Sequence, residues 1–348
     1  MKLKHWYSRF YLLNNMKAVQ LPAYNNNLIR ALLGMKVEEI EKPVPKEGEV
    51  LIKVEASPCN PSDIAFLRGG YNIQKTLPAI PGFEGVGVIE AVGVGIEESL
   101  IGNRVSCFVQ EDHVGMWSEY VTAKITDCIA LKDEMPLDQA ACFAVNPFTA
   151  FGLYEMSQVE ECDCIIQNAA AGQVGRFIRA LAKKDGVKVI NIVRKEEHVE
   201  QLKTEGEAYV FNSESENFED CIRKFADLLK PTMAFDAVGG DQSGLLLNVM
   251  PEDSELVLYG GLSGADFNKL DVMGIIFNRK IVSGFNLMDW MQDLEDDEFE
   301  EVSEYLQDLF IDGTLRTEIS SQFPIDEVVK GIRTYIVNMS GGKILLTP

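Results

Sequence analysis

Ala169 to Gly175 (AAAGQVG) is a run of seven residues almost bare of side chain, set between two apolar stretches. The chemistry such a turn can do is anion binding, because backbone N–H groups at a helix N-terminus take up a pyrophosphate when nothing blocks its approach. Gly172 permits that approach and Gly175 lets the helix lie close to a sheet, with Ala171, Gln173 and Val174 completing the cradle. Ala170 stands where the G-x-G-x-x-G pattern has its first glycine. About 20 positions on, an acidic residue would bind the adenine ribose of NAD, but here Arg194 and Lys195 offer cations suited to the 2′-phosphate of NADP.

The elements that must hold these groups are legible around them. Ile165 and Ile166 begin a short buried strand, and Phe177, Ile178, Leu181 and Ala182 recur at helical spacing. Val187 to Val193 is a β-branched second strand. Further strands follow at AYVFN, MAFDAVGG, ELVLYGG and KIVSGF, giving about six in the doubly wound manner. The turns Val238-Gly239-Gly240, Tyr259-Gly260-Gly261 and Gly284-Phe285 fall at carboxyl ends of these strands, where ligands bind, and are expected to face the nicotinamide half.

The chain ahead of this region is different in kind. From Met16 to about Ala123 short strand-like runs alternate with Gly, Pro and Asn turns, as in an antiparallel barrel. Between two of them lies CNPSDIAFLRGGYNIQKTLPAIPGFEG, an insert in which Ser62 or Asp63 can cap a short helix, and loop-rich inserts are where chemistry concentrates. Asn146-Pro147 interrupts a dense apolar pattern and marks a domain junction. Asp289 to Phe310 reads as one amphipathic surface helix, and the final GKILLTP strand returns to the first domain.

A length of 348 residues with 46% hydrophobic and 25% charged content fits a two-domain globular enzyme. Its 54 acidic against 32 basic residues give a net charge of −22, which argues against nucleic-acid and anionic membrane partners. No apolar run reaches the roughly 18 residues of a membrane span. Seven scattered cysteines without a C-x-x-C pair suit reduced thiols and a cytoplasmic location. Residues 1–15 read as an extension, and His5, His113 and His198 are too scattered for a metal site.

From Met16 to Pro348 the chain resembles the medium-chain dehydrogenase/reductase superfamily, and within it the zinc-independent quinone reductases and 2-enoyl thioester reductases. The carriers are NPSD at 60–63, GFEGVG at 82–87, VNPFTA at 145–150, QNAAAGQVG at 167–175, DAVGG at 236–240, YGG at 259–261 and the terminal Gly342-Lys343. The resemblance implies a GroES-like antiparallel barrel domain (16–140 and 316–348) and a doubly wound Rossmann domain (141–315), in a homodimer. Alcohol-oxidising relatives hold a catalytic zinc through a Cys and a His at places that here read Asn60 and Phe83, so no metal is expected.

Reduction of a quinone, an enone or an enoyl thioester by NADPH is therefore the implied activity, with Tyr71 and Asn146 as catalytic residues. By the same resemblance Asn146, Thr149, Tyr259, Gly260, Gly261, Phe285 and Lys343 meet the nicotinamide half of the cofactor. A redox-silent protein that binds NADPH for structure or sensing, or an alcohol dehydrogenase, would be the alternatives.

Overall fold

The computed structural model describes residues 15–348. They form two compact units, one holding the described residues up to Val145 together with Ser303–Pro348, the other Asn146–Val302. The borders fall at 145/146 and 302/303 rather than at the expected 140/141 and 315/316. Asn15 already belongs to the first strand; the rest of the expected extension lies outside the described residues.

In the first unit β1 (Asn15–Gln20) pairs antiparallel with β2 (Lys36–Glu41), and helix α1 (Leu28–Gly34) connects them. The sheet is organised on β3 (Glu49–Pro58), which pairs antiparallel with β4 (Glu84–Val92) and with β6 (Tyr120–Lys124). On the far side of β4 lie β5 (Arg104–Phe108) and then β7 (Cys128–Ala130). Alternate strand residues turn Val50, Ile52, Val54, Ile89, Val105 and Val121 into one core. The insert between β3 and β4 opens with α2 (Pro61–Leu67), and α3 (Leu137–Ala140) precedes the junction.

The second unit opens with α4 (Asn146–Val159), begun by Asn146-Pro147 as a helix tolerates proline only in its first turn. Strands β8 (Cys164–Gln167), β9 (Lys188–Val193), β10 (Tyr209–Asn212), β11 (Met233–Asp236), β12 (Glu255–Leu258) and β13 (Ile281–Gly284) form a parallel sheet in the order β10-β9-β8-β11-β12-β13. The direction of winding reverses between β8 and β11, the switch point at which doubly wound sheets bind ligands. Buried on both faces, β8 and β11 are nearly pure apolar runs.

Helices α5 (Gln173–Asp185), α6 (Glu196–Thr204), α7 (Phe218–Leu229), α8 (Asp241–Val249) and α9 (Val272–Phe277) connect the strands. Helix α5 buries Phe177, Ile178, Leu181 and Ala182, carries Lys183 and Lys184 in its last turn, and stops at Gly186.

One helix expected over 289–310 is two, α10 (Leu287–Asp293) and α11 (Asp296–Ile311). The physical reason is a fresh N-terminus: the Glu295 N–H donates to the Glu298 carboxylate, and Asp296, Asp297 and Glu298 sit in the new first turn. After α11 the chain runs through β14 (Ile319–Pro324), α12 (Val328–Val337) and β15 (Lys343–Thr347), which pairs antiparallel with β3 at Leu346 and Ser57.

Candidate active site

In the first unit the insert is built on buried charge. Asn60, rather than Ser62 or Asp63, is the N-cap of α2, and Pro61 occupies its first helical position. Asp63 is completely buried and accepts the Asn60 N–H at 2.7 Å and the Phe83 N–H at 3.2 Å. Asn60 is buried too, its amide nitrogen donating to Glu84 Oε2 at 2.7 Å and its amide oxygen accepting from the Lys343 ammonium. The other Glu84 oxygen accepts the Val145 N–H at 2.9 Å. Burial pushes the Asp63 carboxyl up to about 6 and the Glu84 carboxyl up to about 7, while the Lys343 charge pulls both back down.

Tyr71 lies with its ring 5.2 Å from that of Phe83. Burial, then the charge of Asp63, raises its phenol above the ordinary value, so the hydroxyl is protonated at neutral pH and able to donate. Lys75, which no local pattern singles out, is buried with its ammonium donating to the Val114 carbonyl at 2.6 Å and lying 5.0 Å from the Phe83 ring centroid. Burial lowers that lysine to about 8. Tyr24 fixes its backbone, accepting the Lys75 N–H at 2.7 Å and donating to the Lys75 carbonyl at 3.0 Å.

This centre does not fit a zinc ion. Phe83 has no donor atom, and both ends of the Asn60 amide are engaged by groups of opposite charge.

In the second unit the glycine turn ends β8 and opens α5 with Gly172 as N-cap. A Cβ on Gly175 would lie 2.7 Å from the Ala170 carbonyl oxygen and 2.8 Å from its Cα, so the close approach demands glycine there. Ala170 itself points into a core with Val193, Val199 and Leu202, which accounts for its methyl group. Ala171, Gly172, Gln173 and Val174 line the same turn, whose N–H groups at the start of α5 are the kind of donors a pyrophosphate uses.

Beyond β9, Arg194 is exposed and the Lys195 ammonium pairs with Glu197 at 2.9 Å. His198, expected as an ordinary loop or surface residue, sits on α6 beside them. Burial lowers its pKa first, with Lys195, Arg176 and Arg194 lowering it further.

At the switch point the buried Asp236 carboxylate accepts from the Asn168 amide, the Ser243 hydroxyl and the Val238 and Gly239 N–H groups. The turn it holds needs positive φ at Gly239 (78°) and Gly240 (74°). Tyr259, Gly260 and Gly261 follow β12, and open space surrounds the missing side chain of Gly261. Phe285 is placed against Gly152 of α4, whose added Cβ would come within 2.7 Å of its ring.

Asn146 and Thr149 sit in the first turn of α4, each 9% exposed, and the Asn146 amide nitrogen is buried without a hydrogen-bond partner among the described residues. An orphaned donor of this kind fits a carboxamide or carbonyl oxygen supplied by a ligand. The second unit thus offers a phosphate cradle, cations at the ribose end of β9 and an unpaired amide, and these fit a dinucleotide. Lys343, expected at the nicotinamide, is a buried residue of the first unit, and its ammonium donates to the Asn60 amide oxygen.

A GroES-like barrel unit joined to a Rossmann unit defines a class of dinucleotide-dependent oxidoreductases. Residues 46–133 match the family model of the alcohol dehydrogenase GroES-like domain, and 174–308 that of the zinc-binding dehydrogenase. A mitochondrial enoyl-[acyl-carrier-protein] reductase of Arabidopsis thaliana is 32% identical over 289 residues, covering 80% of this chain and 76% of its own. The corresponding Homo sapiens reductase is 29% identical over 318 residues, covering 90% and 84%. A crystal structure of a putative NADPH:quinone reductase from Mesorhizobium loti superposes with a TM-score of 0.90 at 29% identity, covering 96% of this chain and 99% of that one. The chain belongs to the medium-chain dehydrogenase/reductase superfamily, in the branch of zinc-independent quinone and enoyl reductases.

Proposed function

We propose that this protein is a zinc-independent, NADPH-dependent reductase of quinones or of C=C bonds conjugated to a carbonyl, as in enones and 2-enoyl thioesters. One observation carries the reading: where a metal would polarise a carbonyl, the first unit presents Phe83 and a fully engaged Asn60 amide, and a protonated phenol, Tyr71, beside them. Bound NADPH supplies the hydride, which goes to the electrophilic β-carbon. Tyr71 donates a hydrogen bond to the oxygen on which charge collects, or the proton that completes the reduction, and donors aimed at a developing oxyanion are usually the largest catalytic term.

Asn146, with its unpaired amide, orients the nicotinamide carboxamide or the substrate carbonyl. Thr149, Tyr259, Gly260, Gly261 and Phe285 complete the nicotinamide side. Ala171 to Gly175 hold the pyrophosphate, and Arg194 with Lys195 meets the 2′-phosphate. Turnover of NADPH with a panel of quinones and enoyl thioesters tests the activity; cofactor binding with no turnover on any of them would make the protein redox-silent. Tyr71→Phe is expected to lower kcat about ten-fold or more and to leave NADPH binding nearly unchanged. An unchanged kcat on every accepted substrate would remove the tyrosine from the mechanism.

The reading includes a homodimer joined through the second unit. Among the described residues strand β13 is the last of its sheet, its Ile281 is 54% exposed, and neighbouring α9 exposes Val272, Met273, Ile276 and Phe277. Exposed apolar residues flanking an unpaired strand edge suit continuation of the sheet into a second copy. Sedimentation as a monomer at micromolar concentration would contradict it. No described helix is long and apolar enough to cross a membrane. A cytoplasmic location is in keeping with seven free cysteines, and cell fractionation would separate it from the mitochondrial location in the relatives' names.

A further inference from the structure

We propose that Lys343 is a positioning residue for Tyr71: its buried ammonium holds closed the base of the insert that carries the tyrosine. The inference rests on the reading of Tyr71 as donor and adds the device that places it. The two ends of the insert, Asn60 and Phe83, meet on a single carboxylate, Asp63, which accepts one N–H from each. The ring of that same Phe83 is the platform of Tyr71. The Asn60 side chain then bridges Lys343 to Glu84, and beside it the Cys59 N–H donates to the Ile344 carbonyl at 3.3 Å, so side chain and backbone together tie the C-terminal strand to the base of the insert.

The orientation of that amide is forced by its neighbours. An ammonium only donates, so it takes the amide oxygen, and an ionised carboxylate only accepts, so it takes the nitrogen. An ionised Asp63 likewise accepts at both oxygens, whereas a protonated one turns an oxygen into a donor and weakens its hold on Asn60 or Phe83. Lys343, 5% exposed, also lies 3.5 Å from the Cys59 carbonyl and 5.7 Å from the Tyr335 ring centroid. The charged and titratable groups around the array are Asp63 on α2, Lys75 within the insert, Glu84 on β4, Lys343 on β15, Tyr335 on α12 and the Cys59 and Cys142 thiols. Burial raises both carboxyls and Lys343 opposes that rise. Removing the cation would drive the carboxyls toward the protonated form, and unpaired buried charge is strongly destabilising locally.

Lys343→Met tests this in the full-length protein, by steady-state kinetics with NADPH and by hydrogen exchange of the 60–83 segment. The expected result is a kcat about ten-fold lower, a KM for NADPH within two-fold of the wild type, faster exchange in 60–83 and an acid limb of kcat displaced to higher pH. Combining it with Glu84→Gln removes one anion along with the cation and should recover part of the lost kcat and protection. Unchanged exchange and kcat would overturn the proposal. So would a raised KM for NADPH at unchanged kcat, which would make Lys343 a cofactor contact. If Lys343→Met does not fold, Asn60→Ser keeps every charge and removes the bridge; unchanged exchange in 60–83 there overturns the proposal equally. Exchange reports on the insert without catalysis, so a silent Tyr71→Phe alongside faster exchange would sink the role of Tyr71 and leave the clamp standing.

Discussion

The two units prepare their chemistry by opposite means. The Rossmann unit works by leaving atoms out: Gly175, Gly239 and Gly240 bring backbone close to backbone or turn it through positive φ, and N–H groups are left to face a ligand. The barrel unit works by putting charge in. Asp63, Lys75, Glu84 and Lys343 are all buried, and each is held by a hydrogen bond that crosses from one element to another. A site made of backbone is broken by adding atoms; one made of buried charge is broken by removing them.

The largest expected effect follows from adding atoms to the turn. Gly175→Val should lower NADPH affinity by about 100-fold or more, since the Ala170 backbone cannot yield as a flexible side chain would, and about 2.7 kcal/mol corresponds to that factor. The barrel unit should be untouched, with hydrogen exchange of 60–83 as in the wild type. Titrations showing wild-type affinity would mean that the turn does not carry the pyrophosphate.

A smaller effect is expected where the Rossmann unit does use side chains. Losing one charge-assisted phosphate contact costs roughly 1.5 to 3 kcal/mol, so Arg194→Ala should weaken NADPH about 10- to 150-fold and spare NADH. Equal binding of the two cofactors by the wild type would remove the basis for that difference.

The smallest effect concerns stability in the barrel unit. Glu84 is raised from the ordinary carboxyl range to about 7, so between about pH 4.5 and 7 the folded protein holds a proton that the unfolded chain releases. Its contribution is present below that window and is lost as pH rises through 7. Glu84→Gln should flatten this part of the curve, by roughly 1 to 3 kcal/mol between pH 5 and 8. Urea unfolding of both proteins at the two pH values checks it; parallel curves would show that Glu84 does not titrate in the folded state.

The same contrast explains what could be read in advance. The strand, turn and helix around Gly172 are contiguous in sequence, so period and small residues reveal the element order, whereas the switch point between β8 and β11 needs the strand order of the sheet. The array around Asn60 brings together residues from α2, β4 and β15, and nothing local marks Glu84 or Lys75 as more than ordinary charged residues. Asn60 and Phe83 were informative for the ligands they cannot be, yet that Asn60 joins an ammonium to a carboxylate required the fold. Lys343 was visible as part of a terminal Gly-Lys pair, but its burial depends on β15 lying beside β3. The break between α10 and α11 was hidden by an acidic stretch that reads equally as helix interior or as a new first turn.

The central claim is metal-free hydride transfer to an activated double bond. It is tested most directly by turning over an enoyl thioester with NADPH deuterated at C4 of the nicotinamide, using protein stripped of metals. The account predicts one deuterium at the β-carbon of the saturated product, with Tyr71→Phe slowing its appearance. Label appearing at the carbonyl carbon as an alcohol, or reduction that returns only when zinc is restored, would contradict it.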